Sequence, residues 1–161
     1  MPPSFATGDM WTAYLASDLF VITTNSCLNA HGSLVMGAGM ARTARDRFPG
    51  IDNRLGKLIQ AKCGHLGRYY LLIDPLTHIA AFQVKQHWND PADTALILGS
   101  THALVRWLAN DTYPRSAAER DATLDIALNF PGVGFGGLSR ATVLPYITDL
   151  PANVTVWTKG D

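Results

Sequence analysis

Two glycine-rich segments of the sequence have a composition suited to binding phosphate groups. The first, residues 36–39, lies in the stretch GSLVMGAGMARTARDRFPG and directly precedes residues that read as a helix. The second, residues 132–137, has the sequence GVGFGG. Glycine lets a backbone approach a ligand closely, and the free N–H groups at a helix N-terminus attract an anion. These segments therefore predict contacts between backbone amides and phosphate.

Neither glycine segment matches a nucleotide-binding motif of fixed spacing. No Lys-Ser/Thr pair ends either segment as in a P-loop, and the acidic residue of the dinucleotide-binding fingerprint is missing. A glycine run taken alone is more often a tight turn. Two such runs in one small domain favour a ligand with two phosphates over that alternative.

The order of the remaining segments predicts an α/β domain with three layers and a largely parallel sheet. Residues 18–24 are apolar and β-branched on both faces, so we interpret them as a buried central strand. Asp74-Pro75 separates two further strands, which we expect to form a hairpin, and Asp90-Pro91 is a helix-start signal. The predicted strands are 18–24, 68–73, 78–84, 123–129 and 154–158, and the predicted helices are 40–48, 51–61, 93–109 and 140–149.

Both glycine segments are expected at the same edge of this sheet. In an open α/β sheet, ligands bind beyond the carboxyl ends of the strands, where loops lead into helices. The second segment follows the strand 123–129, and the first opens the helix 40–48. The sequence therefore predicts one shared ligand site between the two segments.

The overall composition limits the kind of protein this can be. With 161 residues and 47% hydrophobic content, the chain suits a single domain over residues 1–161. Thirteen basic and thirteen acidic residues cancel, so no overall field would hold a nucleic-acid backbone or an anionic membrane. Cys27 and Cys63 lack the count of a disulfide framework and the spacing of a zinc site. We expect a cytoplasmic protein with no metal, no cofactor and no membrane partner.

Four short motifs follow one another along nearly the whole chain. They are Gly8-Asp9-Met10, the strand end VITTN at residues 21–25, FQVKQHW at residues 82–88, and the second glycine segment. Together they resemble the macro domains, which bind ADP-ribose. FQVKQHW is similar to the lysine-histidine-tryptophan stretch of the DNA ADP-ribosyl glycohydrolase antitoxins, and the related terminal ADP-ribose glycohydrolases also carry a lysine here. The resemblance implies a three-layer α/β/α macro-domain fold.

The resemblance also implies an ADP-ribose pocket. It assigns Asp9 to the adenine amino group, and the alternative is a surface turn aspartate. It assigns Asn25 to the distal ribose, and the alternative is an Asx turn that leaves the strand. Phe135 would cover the distal ribose or anchor the loop, and Trp157 would flank the adenine or be a half-buried strand residue. The predicted ligand-binding residues are Asp9, Met10, Asn25, Met36, Gly37, Ala38, Gly39, Gly132, Val133, Gly134, Phe135, Gly136 and Trp157.

Lys85 is the residue on which the catalytic prediction depends. The apolar strand before it would carry it to the pocket, where an amine could attack the anomeric carbon of the distal ribose or stabilise the departing group. The alternative is a solvated charge at a strand end. His87 could carry a proton near neutral pH, or it could pack beneath the loop with Trp88. The predicted catalytic residues are Lys85, Asn25 and His87.

The chain departs from the family pattern in the second glycine segment. Gly136 occupies the place of an aspartate in the terminal ADP-ribose glycohydrolases, and Leu138-Ser139-Arg140 stands where the antitoxins often read Leu-Asp-Trp. Our leading interpretation is an ADP-ribosyl hydrolase that releases ADP-ribose from a modified target, with a nucleobase in DNA as one candidate. The alternatives are a non-catalytic ADP-ribose-binding module and a phosphatase or deacylase acting on the distal ribose. We expect a monomer whose partners are ADP-ribose or ADP-ribosylated substrates, ADP-ribosylated nucleic acid among them.

Overall fold

The computed structural model describes residues 2–110 and 123–160. Within these ranges, the chain contains six strands and four α-helices. The strands are β1 (Ser4–Thr7), β2 (Leu19–Thr24), β3 (Leu71–Ile73), β4 (Ile79–Gln83), β5 (Ile126–Asn129) and β6 (Val154–Thr158). The helices are α1 (Gly39–Arg47), α2 (Ile51–Lys62), α3 (Thr94–Asn110) and α4 (Arg140–Ile147), and short 3-10 helices span Met10–Ala13 and Gly134–Gly136.

The strands form one sheet in the order β1-β6-β5-β2-β4-β3. Every neighbouring pair is parallel except β3 with β4, which is antiparallel. The largely parallel sheet and the hairpin of the third and fourth strands are therefore confirmed. Because β1, β6, β5, β2 and β4 run in the same direction, their carboxyl ends share one edge of the sheet.

Both faces of the central strand β2 are buried, as its continuous apolar sequence predicts. Leu19 and Val21 belong to the core that α3 and α4 cover. Phe20 and Ile22 belong to the core that α1 and α2 cover. The sheet therefore lies between two layers of helices, and the predicted three-layer α/β/α architecture is confirmed.

The structure differs from the sequence prediction mainly at short or irregular elements. The pattern SFAT of β1 gives no strand signal, and β1 is a mostly exposed edge strand that depends on pairing with β6. The predicted strand 68–73 begins only at Leu71, because Tyr70 has a left-handed φ of 65°. Helix α3 is capped by Asp93, whose Oδ1 accepts from Ala95 N at 2.8 Å, rather than by the Asp90-Pro91 pair.

Candidate functional site

The carboxyl edge of the sheet brings together residues that are far apart in sequence. Asn25 directly follows β2, and Lys85 lies two residues beyond the end of β4. The two chain segments stay paired past the strand ends, since Val84 N donates to the Thr24 carbonyl and Ser26 N donates to the Gln86 carbonyl, each at 3.0 Å. The predicted catalytic residues Asn25 and Lys85 therefore lie on adjacent strand extensions.

The two glycine loops meet above this edge. A Cβ placed on Gly39 would lie 3.6 Å from the Phe135 ring, so the aromatic side chain of the second loop contacts the start of α1. Phe135 is nevertheless 78% exposed. Ala38, the N-cap residue of α1, is extended and makes no side-chain capping hydrogen bond. The first turn of α1 therefore presents backbone N–H groups beside an exposed aromatic ring, as phosphate and ribose binding would require.

The glycines of the two loops differ in what a side chain at each position would contact. A Cβ on Gly37 or Gly134 would meet no described atom within 4 Å, so the space in front of these residues is open. A Cβ on Gly132 would lie 2.9 Å from Ile97 Cδ1, and a Cβ on Gly136 would lie 3.0 Å from Ala92 Cβ. Packing against α3 and the segment before it therefore accounts for Gly132 and Gly136. Open space beside Gly37 and Gly134 is compatible with a ligand.

Lys85 is half-buried at the site. Partial burial lowers the pKa of its amine from the ordinary value of 10.5, and the negative charge of Asp90 opposes that shift. A lysine with a lowered pKa has a larger neutral fraction, and only the neutral amine is a nucleophile. The half-buried environment of Lys85 is compatible with the nucleophilic role predicted from the sequence, and that role stays a prediction.

His87 lies in a tight turn beside Lys85. His87 N donates to Asp90 Oδ2 at 3.3 Å, and Asn89 N donates to His87 Nδ1 at 3.1 Å. The His87 and Trp88 rings are 5.4 Å apart, and Trp88 is exposed. With Nδ1 used as an acceptor within the turn, His87 would exchange a proton with a ligand through Nε2.

Asn25 is buried, with 7% of its surface exposed. Its Oδ1 accepts from Cys27 N at 2.8 Å, which is the Asx turn, and its Nδ2 donates to the Val35 carbonyl at 3.0 Å. The side chain therefore holds together the two ends of the segment 27–35, which precedes the first glycine segment. Each group of the amide retains one further hydrogen-bonding position. A contact of Asn25 with the distal ribose remains a prediction.

The predicted adenine end lies where β1 and β6 finish. Asp9 is exposed and caps the short helix Met10–Ala13, with Oδ1 accepting from Trp11 N at 3.0 Å. Trp157 is half-buried and faces Gly8; a Cβ placed on Gly8 would lie 3.8 Å from the Trp157 ring. Met10 is a core residue, as is Met36 of the first loop, so both would reach a ligand through their backbone. Val133 packs partly against the opposite core.

Sequence reasoning missed three residues at this edge. Gln83 and Tyr69 are fully buried polar side chains behind the strand ends, and Asp90 is the carboxylate whose charge acts on Lys85. A signal for Gln83 existed, since it ends the apolar strand sequence IAAFQ. No sequence pattern indicates that Tyr69, far along the chain, reaches the end of β2.

A cleft of about 390 Å³ lies at the β1–β6 edge, next to α4. Its lining consists of Phe5, Ala6, Thr7, Phe130, Arg140, Ala141, Leu144 and Thr158, none of which is a predicted site residue. Among the described residues, no group of three His, Cys, Asp or Glu side chains is arranged to hold a metal ion. Nor does the described part of the chain contain a helix long and apolar enough to cross a membrane.

Several solved structures share this architecture. The macrodomain of Thermus aquaticus DarG matches with a TM-score of 0.66 and 24% identity, over 98% of this chain and 97% of that one. The macrodomain of Mycobacterium tuberculosis DarG matches with a TM-score of 0.62 and 21% identity, over 96% and 95%. Thermosipho africanus DarTG, solved in complex with ADP-ribose, matches with a TM-score of 0.67 and 19% identity, over 98% of this chain but 42% of that one.

No protein-family model matches the sequence, and a search of curated proteins finds no match. The structural matches nevertheless span almost the entire chain and reproduce the architecture described above. The chain therefore has the macrodomain fold, as its motifs predicted. The structures to which it is similar include two DarG macrodomains.

Proposed function

We propose that this chain binds ADP-ribose and hydrolyses the bond that joins ADP-ribose to a modified target. One observation carries the proposal. A half-buried lysine with a lowered pKa lies at the sheet edge where two glycine loops meet, one of which presents an uncapped helix N-terminus. A similar fold, that of Thermosipho africanus DarTG, was solved with ADP-ribose bound.

The ligand would lie along the carboxyl edge of the sheet. The diphosphate would receive N–H groups from the first turn of α1, in the open space beside Gly37 and Gly134. Asp9 would accept from the adenine amino group through Oδ2, which is compatible with its capping contact through Oδ1. Phe135 would cover the distal ribose.

Lys85 would then act on the distal ribose. Its neutral amine would form a bond to the anomeric carbon while the bond from that carbon to the target breaks, and the departing atom would take up a proton. Water would next hydrolyse the adduct, releasing ADP-ribose and restoring the amine. His87 would be placed to carry the proton through Nε2.

One observation favours a binding module without turnover as the second candidate. Gly136 stands where terminal ADP-ribose glycohydrolases carry an aspartate, and a Cβ at this position would lie only 3.0 Å from Ala92 Cβ. The backbone here therefore has little space for a carboxylate side chain. In the binding module, Lys85 would serve only as a positive charge near the ligand.

The test is to incubate the protein with three substrates and follow product release by mass spectrometry. The substrates are an ADP-ribosylated DNA oligonucleotide, an ADP-ribosylated protein and ADP-ribose-1″-phosphate. Release from either of the first two supports the hydrolase, whereas phosphate release from the third alone indicates a phosphatase. Binding of ADP-ribose in isothermal titration without turnover of any substrate would replace the hydrolase with the binding module.

A further inference from the structure

Gln83, the last residue of β4, uses every hydrogen-bonding position of its buried side-chain amide. Oε1 accepts from Tyr69 N at 2.8 Å and from Tyr70 N at 3.1 Å. Nε2 donates to the Gly67 carbonyl at 2.9 Å and to the Lys85 carbonyl at 3.2 Å. An amide offers two lone pairs and two hydrogens, so this one is fully satisfied. It connects the segment before β3 with the backbone of Lys85.

Tyr69, which is also fully buried, continues this connection to the end of β2. Its hydroxyl donates to the Asn25 carbonyl at 2.9 Å and shares a short hydrogen bond with Thr24 Oγ1. Burial raises the pKa of the Tyr69 hydroxyl, so the group stays protonated and can donate. A continuous path of bonded groups therefore joins Asn25, Tyr69, Gln83 and Lys85.

Helix α3 constrains the middle of this path. Tyr70 has a left-handed backbone, and Gln83 N donates to its carbonyl at 2.8 Å. Ser100 Oγ on α3 donates to the Gln83 carbonyl at 2.7 Å. The Tyr70 ring occupies the space of a side chain at Gly99, where a Cβ would lie 2.4 Å from Cε1. Such a strained residue persists only where its surroundings fix it.

We propose that Gln83 and Tyr69 are positioning residues that fix Lys85 relative to Asn25. The inference rests on the proposed function for its catalytic meaning, but the geometry belongs to the chain itself. A buried amide is costly unless its hydrogen bonds are made, and the rest of β4, Ile79–Phe82, is apolar. A fully satisfied polar network specifies one arrangement more strictly than apolar packing does. The network would hold the backbone of Lys85, and with it the amine, in one position relative to Asn25.

The first test replaces Gln83 by Met, which has a similar length and makes none of the four hydrogen bonds. We expect ADP-ribose affinity to change little and the single-turnover rate on the ADP-ribosylated substrate to fall roughly tenfold to a hundredfold, as for a misplaced catalytic group. We also expect the titration midpoint of Lys85 to move toward the ordinary lysine value. Reductive methylation with ¹³C-formaldehyde reports that midpoint by NMR, because the chain has only four lysines and Lys85→Arg assigns the signal.

Two further variants make the test independent of lost stability. Tyr69→Phe removes a single hydroxyl and should shift the rate and the midpoint in the same directions by less, even where Gln83→Met fails to fold. Thr77→Val removes a buried hydroxyl at the opposite end of the hairpin and should leave both unchanged. A folded Gln83→Met with the wild-type rate and midpoint would overturn the inference. If the wild-type protein hydrolyses none of the substrates but Gln83→Met still shifts the titration midpoint of Lys85, the positioning role would be supported and the proposed function refuted.

Discussion

The two ends of the β3–β4 hairpin differ in how a charged side chain that is shielded from solvent is compensated: Asp74 lies at the turn and Lys85 at the opposite end. At the turn, Asp74 is fully buried, but Arg54 donates to it from Nε at 2.8 Å and from Nη2 at 3.1 Å, and Thr77 donates from Oγ1 at 2.6 Å. At the other end, Lys85 is half-buried and is fixed through its backbone. One end satisfies its charge completely, whereas the other leaves an amine available for chemistry.

This difference predicts opposite contributions to stability. Burial alone would raise the pKa of Asp74, but the hydrogen bonds from Arg54 and Thr77 and the charge of Arg54 lower it below 3.8. Asp74 therefore stabilises the fold above that pH, and its contribution is lost as the pH falls through the folded-state pKa. Burial lowers the pKa of Lys85, so its charge costs stability below the folded-state pKa, and the cost disappears as the pH rises past 10.5.

The largest effect is expected at the Lys85 end, on turnover. Lys85→Ala should lower the rate by about a thousandfold or more while ADP-ribose affinity changes little, because the loss falls on the transition state. Lys85→Arg should not restore the rate, since arginine keeps the charge but is not a nucleophile. Single-turnover kinetics and isothermal titration measure the two quantities, with the exposed Lys57→Ala as the matched control. Full activity in Lys85→Ala would remove the lysine from the mechanism.

The turn end should respond in stability and leave binding unchanged. Arg54→Met leaves the Asp74 carboxylate buried without its charged partner, which should lower the free energy of unfolding by about 3 kcal/mol near neutral pH. The deficit should shrink as the pH falls from 3.8 toward the lowered folded-state pKa of Asp74, because the contribution of the ion pair to wild-type stability is lost over that range. Urea unfolding at pH 7 and pH 3.5 tests both points. Arg45→Met, at an exposed pair with Asp46, should cost almost nothing; an equal loss in both variants would contradict the comparison.

Gly37→Val should separate binding from folding at the site end. The added side chain meets no described atom within 4 Å and Gly37 is not in the left-handed region, so the melting temperature should be preserved. The same side chain would occupy the proposed phosphate position, and affinity should fall roughly a hundredfold. Gly132→Val, with a left-handed φ and a close Ile97, should instead destabilise the fold. Undiminished ADP-ribose binding by a folded Gly37→Val would show that this glycine serves only turn geometry.

The smallest effect is expected at Asp9. Asp9→Asn keeps an oxygen to cap Trp11 N but turns an amide donor toward the ligand, so it tests the adenine contact without removing the cap. ADP-ribose affinity should fall roughly tenfold to a hundredfold in both Asp9→Asn and Asp9→Ala. Isothermal titration measures the affinity, and a thermal melt shows how much of the Asp9→Ala effect is structural. Wild-type affinity in Asp9→Asn would exclude Asp9 from the adenine site.

Much of the fold could be predicted because its elements carry strong local patterns. The continuous apolar run of β2 and the helical spacing of α3 identify buried elements directly. By contrast, β1 is short and mostly exposed, so its strand conformation follows from pairing with β6 and not from its own sequence. The left-handed Tyr70 is likewise imposed by Gln83 and α3, and no residue type announces it.

The candidate site could likewise be predicted from the sequence only in part. Glycines, a strand-end asparagine and a lysine are visible in sequence, and the parallel sheet brings them to one edge. The shared edge of the two glycine segments was predicted, but the contact between the Phe135 ring and Gly39 was not, because the positions of side chains in loops depend on tertiary packing. The sequence also did not distinguish the open glycines, Gly37 and Gly134, from Gly132 and Gly136, since that distinction depends on Ala92 and Ile97.

The pairing of β1 with β6 has a consequence for how the molecule forms. Ser4–Thr7 aligns with residues 155–158, and Gly8 N donates to the Thr158 carbonyl at 2.9 Å. During synthesis, β1 leaves the ribosome long before β6, so it has no partner strand until nearly the entire described chain has followed. Contacts between such distant segments form slowly, because the intervening loop must be closed first. The predicted adenine end of the site, with Asp9 and Trp157, therefore cannot be complete until β6 has been synthesised, later than the edge that carries Asn25 and Lys85.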